Sequence, residues 1–269
     1  MSTPAVAEGT RVCYLYGVVR SDRRPDLQEL VGVGGGPLSF VDSGSLSAVV
    51  GAVAAEDLAP PGDAQQGAAW LEAAVRAHEC VLEQCLEPGP VVPMRFATTL
   101  RRDADARALL REREDELAVS LERLLGRREW GVKAFVRDPD ALARYVRAAS
   151  GDFATREHEL EGRSPGATYF ARKQLDREVT RAGDDLISER VAFAHEQLSA
   201  AVVDARLIPG RQPRTERVWL NGAYLVAEAD EVAFRNRVAE LGRTHAEVGL
   251  HYELTGPWPA YNFVGGEAA

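Results

Sequence analysis

The sequence has little cysteine and lysine, and it lacks long apolar runs. Its three cysteines, Cys13, Cys80 and Cys85, cannot all pair, so we expect buried thiols in a reducing compartment. Since no run reaches the roughly 18 apolar residues of a membrane helix, no membrane span is expected. Residues 1–10 lack a basic start and a long apolar stretch, so we expect no signal peptide.

An excess of positive charge is also missing. The formal net charge is −9, and nearly all basic residues are arginine, with lysine only at Lys133 and Lys173. Short basic pairs such as Arg101–Arg102 lie among acidic residues. A protein that binds duplex nucleic acid needs a concentrated basic surface, so we expect no nucleic-acid partner.

The first half of the chain alternates strand and helix patterns. An apolar run at 12–19 predicts a buried strand, and the segments 38–41 and 46–53 predict a hairpin around Asp42-Ser43-Gly44-Ser45. Apolar residues at helical spacing predict a helix over 64–86, with Leu71, Val75 and His78 on its buried stripe. A second helix is predicted over 103–125, capped by Asp103 and ended by Gly126.

The second half has the order strand, helix, strand, strand, helix, strand. The predicted strands are 130–136, 207–208, 217–226 and 248–254. The predicted helices are 138–148, 165–203, which Ser164 is expected to cap, and 230–241. This is the split βαβ order of a ferredoxin-like sandwich with a helical insertion. We expect Gly151–Arg163 to be polar and mobile, Phe193 to lie in the buried stripe of the long helix, and Gly242 to end the last helix.

These patterns predict an α+β protein of two domains. The first, residues 1–126, is an N-terminal α/β domain whose strand order the sequence does not show. The second, residues 127–269, is ferredoxin-like and ends in an extended docking tail at 255–264.

No catalytic, cofactor or metal site is expected. The glycines at 32–36 precede a predicted strand rather than a helix, unlike a phosphate-binding loop. His78 and Cys80 point about 200° apart on a helix, so they cannot share one metal ion. His158 and His195 lack the second histidine of a zinc helix and are expected to be solvated, and His245 and His251 have no legible partner.

Arg95 stands inside the apolar extended segment Val92-Pro93-Met94-Arg95-Phe96-Ala97. A buried arginine needs a partner, so we expect its guanidinium to pair with a carboxylate or with several carbonyl groups inside the protein. The alternative is a contact with a ligand or a partner protein. An ion pair in this position could also hold the two domains together.

The C-terminal tail is the most distinctive segment. It carries Trp258, Tyr261 and Phe263 behind two prolines, whereas chain ends are usually polar and frayed. We expect the tail to dock within the molecule, across the two domains, and to fix their orientation. The alternative is a free arm that waits for a partner.

Five segments in order carry a resemblance to a known family. The tail resembles the L-T-G-P-W-P-P-Y-x-F ending of the GvpF/GvpL gas vesicle proteins, with Ala260 in place of the last proline. Four other segments are similar to the family's first strand, its P-x-R-F-G segment with Ala97 in place of glycine, its E-W-G-V-K strand and its N-x-A-Y-L-V strand. They begin at Tyr14, Pro93, Glu129 and Asn221.

The resemblance implies a non-enzymatic accessory or minor structural protein of gas vesicles, acting in the cytoplasm. It implies as partners the major hydrophobic shell protein and other gas vesicle accessory proteins. It also implies the two-part plan of an α/β domain followed by a modified ferredoxin-like domain. The alternatives are a small-molecule enzyme and a ligand-sensing domain, each of which would use a cleft of the ferredoxin-like domain.

Overall fold

The computed structural model describes residues 11–160, 165–209 and 217–264. They form two compact units. The first unit consists of residues up to Glu129 together with the segment that begins at Trp258, and the second runs from Trp130 to Pro257. The C-terminal tail therefore belongs to the first unit, whereas the sequence placed it with residues 127–269.

The first unit contains a five-stranded antiparallel sheet of order β2-β3-β1-β4, with β5 also paired to β1. The predicted hairpin at 42–45 is confirmed, because β2 and β3 pair on either side of it. The strands are β1 Arg11–Arg20, β2 Leu38–Ser43, β3 Leu46–Ala54, β4 Val92–Pro93 and β5 Thr99–Leu100.

Both faces of this sheet are covered, which explains why β1 is an almost unbroken apolar run between its two terminal arginines. Leu15 and Val18 pack into one core together with residues of α2 (Asp103–Glu112) and α3 (Glu114–Leu124). Tyr14, Tyr16 and Val19 pack into another core with residues of α1, Ala64–Cys85. Alternating side chains of a strand point to opposite faces, so a central strand between two helical layers has no polar face.

Several predictions for this unit are wrong. The helix expected over 103–125 is broken at Arg113, which leaves helical geometry at φ −115° and ψ 21° and forms a two-bonded ion pair with Glu116. Asp103 lies inside the first turn rather than at the cap, which is Arg102. Cys80 is exposed, because it points away from the face of α1 that buries His78 and Cys85. Leu71 and Val75, expected on the buried stripe, are 47% and 36% exposed.

The second unit contains a four-stranded antiparallel sheet of order β7-β8-β6-β9. The four strands predicted to share one sheet do so. Numbered along the chain within this sheet, the order is 2-3-1-4. The strands are β6 Arg127–Val136, β7 Asp204–Leu207, β8 Val218–Ala227 and β9 Leu250–Trp258.

One core joins this sheet to the helices of the unit. It includes residues of α4 (Pro139–Ala149), α6 (Pro165–Ser199) and α7 (Glu231–Thr244), among them Val146, Ile187 and Val238. Asp138 caps α4 by accepting a hydrogen bond from the amide of Ala141. The cap predicted at Ser164 for the long helix lies outside the described residues.

Three expectations for the second unit are corrected. Residues 151–160 form the helix α5, Gly151–Leu160, held by burial of Leu160 and by an ion pair of Arg156 with Glu178. Phe193 is 50% exposed, since the buried stripe of α6 runs instead through Ile187, Val191, Ala194 and Leu198. Gly242 lies inside α7, which continues to Thr244.

The protein is thus a mixed helix-and-sheet protein with two antiparallel sheets. None of the helices described is both long and apolar enough to cross a membrane.

Candidate functional site

A cluster of polar aromatic residues lies in the core beneath α1. Tyr14 and Tyr16 are two positions apart on β1 and therefore point to the same face of the sheet. The buried stripe of α1 places His78 against both rings, stacked on Tyr16 at a centroid distance of 5.5 Å. All three side chains are fully buried. A buried polar group is stable only when it is hydrogen-bonded, so the partners of these groups decide whether the cluster is stable.

Tyr14 is hydrogen-bonded to His78, and both tyrosine hydroxyls are hydrogen-bonded to the neighbouring backbone. The Tyr14 hydroxyl lies 3.0 Å from Nδ1 of His78 and accepts a hydrogen bond from the amide of Ala97 at 2.8 Å. The Tyr16 hydroxyl accepts a hydrogen bond from the amide of Val33 at 2.7 Å. The glycine-rich segment at 32–36 is therefore anchored to the core through Tyr16.

The C-terminal tail completes this cluster. Tyr261 donates a hydrogen bond from its hydroxyl to Oε1 of Glu79 at 3.0 Å, and the same hydroxyl lies 3.2 Å from Nε2 of His78. Nε2 of His78 is also 3.2 Å from the carbonyl oxygen of Met94. Since a carbonyl oxygen only accepts, Nε2 carries the proton and Nδ1 accepts from Tyr14. Each group in the series of hydrogen bonds Tyr14–His78–Tyr261–Glu79 can then act as a donor or an acceptor without conflict.

A second anchor of the tail is Asn262. Its backbone amide donates to Oε2 of Glu129 at 3.0 Å, and its side-chain amide donates to Oε1 of the same carboxylate at 2.6 Å. Glu129 is buried, so its charge needs these donors. The tail is thus held by two carboxylates of its own unit, Glu79 and Glu129.

Burial dominates the ionisation of the cluster. It lowers the pKa of His78 from 6.5 to about 4, so the imidazole is neutral at physiological pH. Burial raises the pKa of the Glu79 carboxyl, against the hydrogen bond from Tyr261, which lowers it. Burial also raises the pKa of the Tyr14 and Tyr16 hydroxyls, each to about 12, and the pKa of Tyr261, whose hydroxyl faces Glu79. A neutral histidine between un-ionised phenols is suited to packing rather than to proton transfer near pH 7.

The three aromatic residues singled out in the tail occupy different environments. Phe263 is almost fully buried, with 1% of its surface exposed, and Tyr261 is partly buried in the core beneath α1. Trp258 is 38% exposed at the end of β9. The tail also turns on itself, because the amide of Phe263 donates to the carbonyl of Ala260 at 3.1 Å.

The expectation for Arg95 is wrong. Its side chain is exposed, and the structure gives its guanidinium no ion pair or hydrogen bond among the described residues. Only its backbone carbonyl is used, accepting from the amide and the hydroxyl of Thr98. The neighbouring Val92, Pro93 and Met94 are buried, but the segment turns outward at Arg95. It returns to the core at Ala97, whose amide donates a hydrogen bond to the hydroxyl of Tyr14. An exposed arginine needs no internal partner.

Sequence reasoning missed the polar partners of the tail. His78 was assigned to a core stripe, which is correct, but its contact with Tyr261 joins residues 183 positions apart. Glu79 and Glu129 had no visible role, although Glu129 begins one of the family segments. Glu129 stands directly before the predicted strand 130–136, next to Arg128, so its burial was not visible from the sequence pattern.

The other histidines also found partners that the sequence did not show. His195 is half-buried rather than solvated, and its Nδ1 lies 2.9 Å from the hydroxyl of Tyr224. His245 is buried with Nδ1 2.9 Å from the hydroxyl of Tyr252, and burial lowers its pKa. Within the described ranges, no group of three or more His, Cys, Asp or Glu residues is placed to hold a metal ion.

These features define a class. The protein is a two-unit α+β protein whose most elaborate polar cluster fastens its own C-terminal tail. The profile of the family described as "Gas vesicle synthesis protein GvpL/GvpF" matches residues 12–265, so the chain belongs to this family.

Relatives agree with this assignment. The chain is 34% identical to gas vesicle protein L of Streptomyces sp. (strain CB03234), over 95% of this chain and 93% of the relative. It is 29% identical to gas vesicle protein F of the same organism, over 93% of this chain and 98% of that protein. It is 27% identical to gas vesicle protein F2 of Halobacterium salinarum, over 93% of this chain and 91% of that protein.

Solved structures show the same fold. The crystal structure of GvpF from Anabaena sp. PCC7120 superposes with a TM-score of 0.73 at 18% identity, covering 96% of this chain and 99% of that one. GvpF from Microcystis aeruginosa gives a TM-score of 0.64 at 17% identity, covering 94% and 99%.

Proposed function

We propose that this protein is an accessory or minor structural protein that binds the hydrophobic shell protein and other accessory proteins while gas vesicles are assembled in the cytoplasm. The observation that carries the proposal is the family match over residues 12–265. Curated relatives at near full length are gas vesicle proteins L and F. The second unit, with its strand order of 2-3-1-4, would be the modified ferredoxin-like domain of the family.

The geometry favours binding over catalysis. The buried His78 and Tyr14 and the partly buried Tyr261 are hydrogen-bonded to one another and to neighbouring groups of the protein, and the pKa of His78 lies well below physiological pH. A general acid or base works best with a pKa near the operating pH and with an open position for substrate. We therefore propose that the cluster is structural and that the protein acts through its surfaces.

The proposed mechanism is protection of an apolar subunit before assembly. A small shell protein with large exposed apolar surfaces would aggregate while it waits to be incorporated. A soluble partner that covers these surfaces lowers that risk. The net charge of −9 would keep the complex dispersed, since net charge far from zero opposes self-association.

Copurification tests this proposal. The full chain is produced together with the affinity-tagged major shell protein in a host that forms gas vesicles, and the material bound to the tag is washed at moderate salt. We expect the chain to be retained, and to be lost when the tag is placed on an unrelated protein of similar size. Absence of the chain from the shell-protein fraction, and also from fractions of the tagged accessory proteins, would contradict the proposed function.

A further inference from the structure

The outer face of α6 carries an unusual combination of side chains. Phe170, Lys173, Arg177 and Arg181 follow one another at intervals of three and four residues, and all four are exposed. At about 100° per residue these positions lie within roughly 60° of one line along the helix. We call these four residues the basic aromatic face. It extends over about 16 Å at a rise of about 1.5 Å per residue.

The basic aromatic face lies opposite the core. Leu175 and Val179 of the same helix are buried and lie about 140–180° around the helix from Phe170. Phe170 is 76% exposed, and its neighbour Tyr169 is 61% exposed with its ring edge against Phe170 at a centroid distance of 5.4 Å. Two adjacent aromatic rings that are mostly exposed contribute little to the core, whereas aromatic residues are common anchors of protein interfaces.

The three cations of this face have no carboxylate partner within the described part of the chain. Three acidic residues near them on α6 pair with arginines of other elements: Asp176 with Arg147, Glu178 with Arg156, and Asp184 with Arg217. Asp185, one turn after Arg181, is exposed at the end of the same face and forms no ion pair within the described residues. Three cations therefore stand beside one carboxylate, and a protein of net charge −9 presents here a local positive stripe.

We propose that the basic aromatic face of α6 is a docking surface for an acidic amphipathic helix of a partner protein. Acidic side chains of the partner would meet Lys173, Arg177 and Arg181, and an apolar residue would cover Phe170. This inference deepens the proposed function, on which it rests, by giving the chemistry of one partner. A helix of three turns matches the length of the stripe.

A protein partner fits the observations better than a polyanion. Three cations on a protein of charge −9 fall short of the basic surface that a nucleic acid requires. Segments that bind anionic lipids typically contain clusters of about four to eight basic residues. The helical spacing of the face, with an aromatic residue at one end, instead matches the single stripe of anchors by which one helix recognises another.

The test uses the full chain and three labelled 16-residue helical peptides of equal apolar content. The first carries glutamate along one stripe, the second glutamine and the third lysine, and binding is followed by fluorescence anisotropy. The test variant is Lys173→Glu with Arg177→Glu and Arg181→Glu. The matched control is Arg101→Glu with Arg111→Glu and Arg243→Glu, which changes the net charge equally at three exposed arginines elsewhere.

We expect the wild-type chain to bind the glutamate peptide at least tenfold more tightly than the other two peptides. The test variant should lose at least tenfold in affinity, Phe170→Ser at least fivefold, and the control less than twofold. Circular dichroism of each variant establishes that it is folded.

Failure to bind the glutamate peptide, or equal losses in the test and control variants, would overturn the proposal. So would stronger binding to phosphatidylserine vesicles or to single-stranded RNA than to the peptide. Copurification with the tagged shell protein is measured separately for each variant. If wild type and test variant both copurify and bind the peptide equally, this inference fails while the proposed function stands. If peptide binding behaves as expected but no gas vesicle protein copurifies, the proposed function fails instead.

Discussion

Replacing Phe263 by alanine tests whether the tail stabilises the first unit. The side chain is 1% exposed, and Phe→Ala substitutions at buried sites cost about 3–5 kcal/mol. The tail is a terminal segment, however, so a weakened tail can detach while the remainder stays folded. The cost therefore cannot exceed the net free energy with which the tail docks, and we expect about 3 kcal/mol.

The assay is urea unfolding of the isolated protein, followed by circular dichroism and by fluorescence because the two units can unfold in separate transitions. With a slope of about 1–3 kcal/mol per M, a loss of about 3 kcal/mol lowers the midpoint by about 1–3 M. Phe193→Ala is the matched control, because this phenylalanine is 50% exposed and its loss should cost far less.

Removal of residues 260–269 measures the net free energy of tail docking, which is the upper limit on the cost of Phe263→Ala. This truncation leaves β9 intact. The truncated protein should be destabilised at least as much as Phe263→Ala. If truncation leaves every transition unchanged, the tail contributes no net stability and the interpretation of the tail as an internal clamp is refuted. The tail would then have to act on a partner.

Four further predictions concern single side chains. Tyr261→Phe keeps the ring but removes the donor to Glu79, so it should cost about 1–3 kcal/mol in the same urea assay; an unchanged midpoint would show that the carboxylate finds another donor. His78 has a folded-state pKa below its unfolded value, so wild-type stability should fall as pH drops from 6.5 towards 4. His78→Gln should remove about 3 kcal/mol of this fall. Equal pH profiles of stability for the two proteins would refute the assignment of a lowered pKa to His78. Ala97 has a left-handed backbone at φ 66°, so Ala97→Gly should raise the stability by up to about 1 kcal/mol, whereas a lower melting temperature would contradict the strain argument. Arg95→Ala should change the melting temperature by less than a degree or two, as expected within about 0.5 kcal/mol for an exposed side chain, and a large loss would mean that its guanidinium has a partner after all.

The sequence predicted elements whose pattern is set locally. β1 is apolar because helices cover both faces of its sheet, and the β2–β3 hairpin is marked by Gly44 with φ 58°. The four strands of the second sheet were also recognised in order. In each case the spacing of apolar residues or the turn chemistry carries the information by itself.

Elements that depend on distant partners could not be predicted in this way. The polar segment 151–160 resembles a loop until Arg156 meets Glu178 and Leu160 is buried. The break at Arg113 lies inside a continuous helical pattern. The outward direction of the Arg95 side chain depends on the turn that follows it. This turn is fixed by the hydrogen bond from the amide of Ala97 to the hydroxyl of Tyr14.

The candidate site followed the same rule. Tyr261 and Phe263 were recognised because aromatic residues in a proline-bearing tail are unusual. Their partners were not recognised, because Glu79 and Glu129 are 182 and 133 positions from the tail residues that they bind. Nothing in a single sequence indicates pairing over that separation.

The tail also has a consequence for synthesis on the ribosome. Glu79, His78 and Glu129 receive their partners from Tyr261 and Asn262, which are translated more than 130 residues after Glu129. At roughly 5–20 residues per second, Glu79 and Glu129 therefore lack these donors for on the order of ten seconds after Glu129 is translated. A nascent chain that pauses within the second unit would leave the two carboxylates without their donors, so the first unit is completed only by residues translated after the second unit.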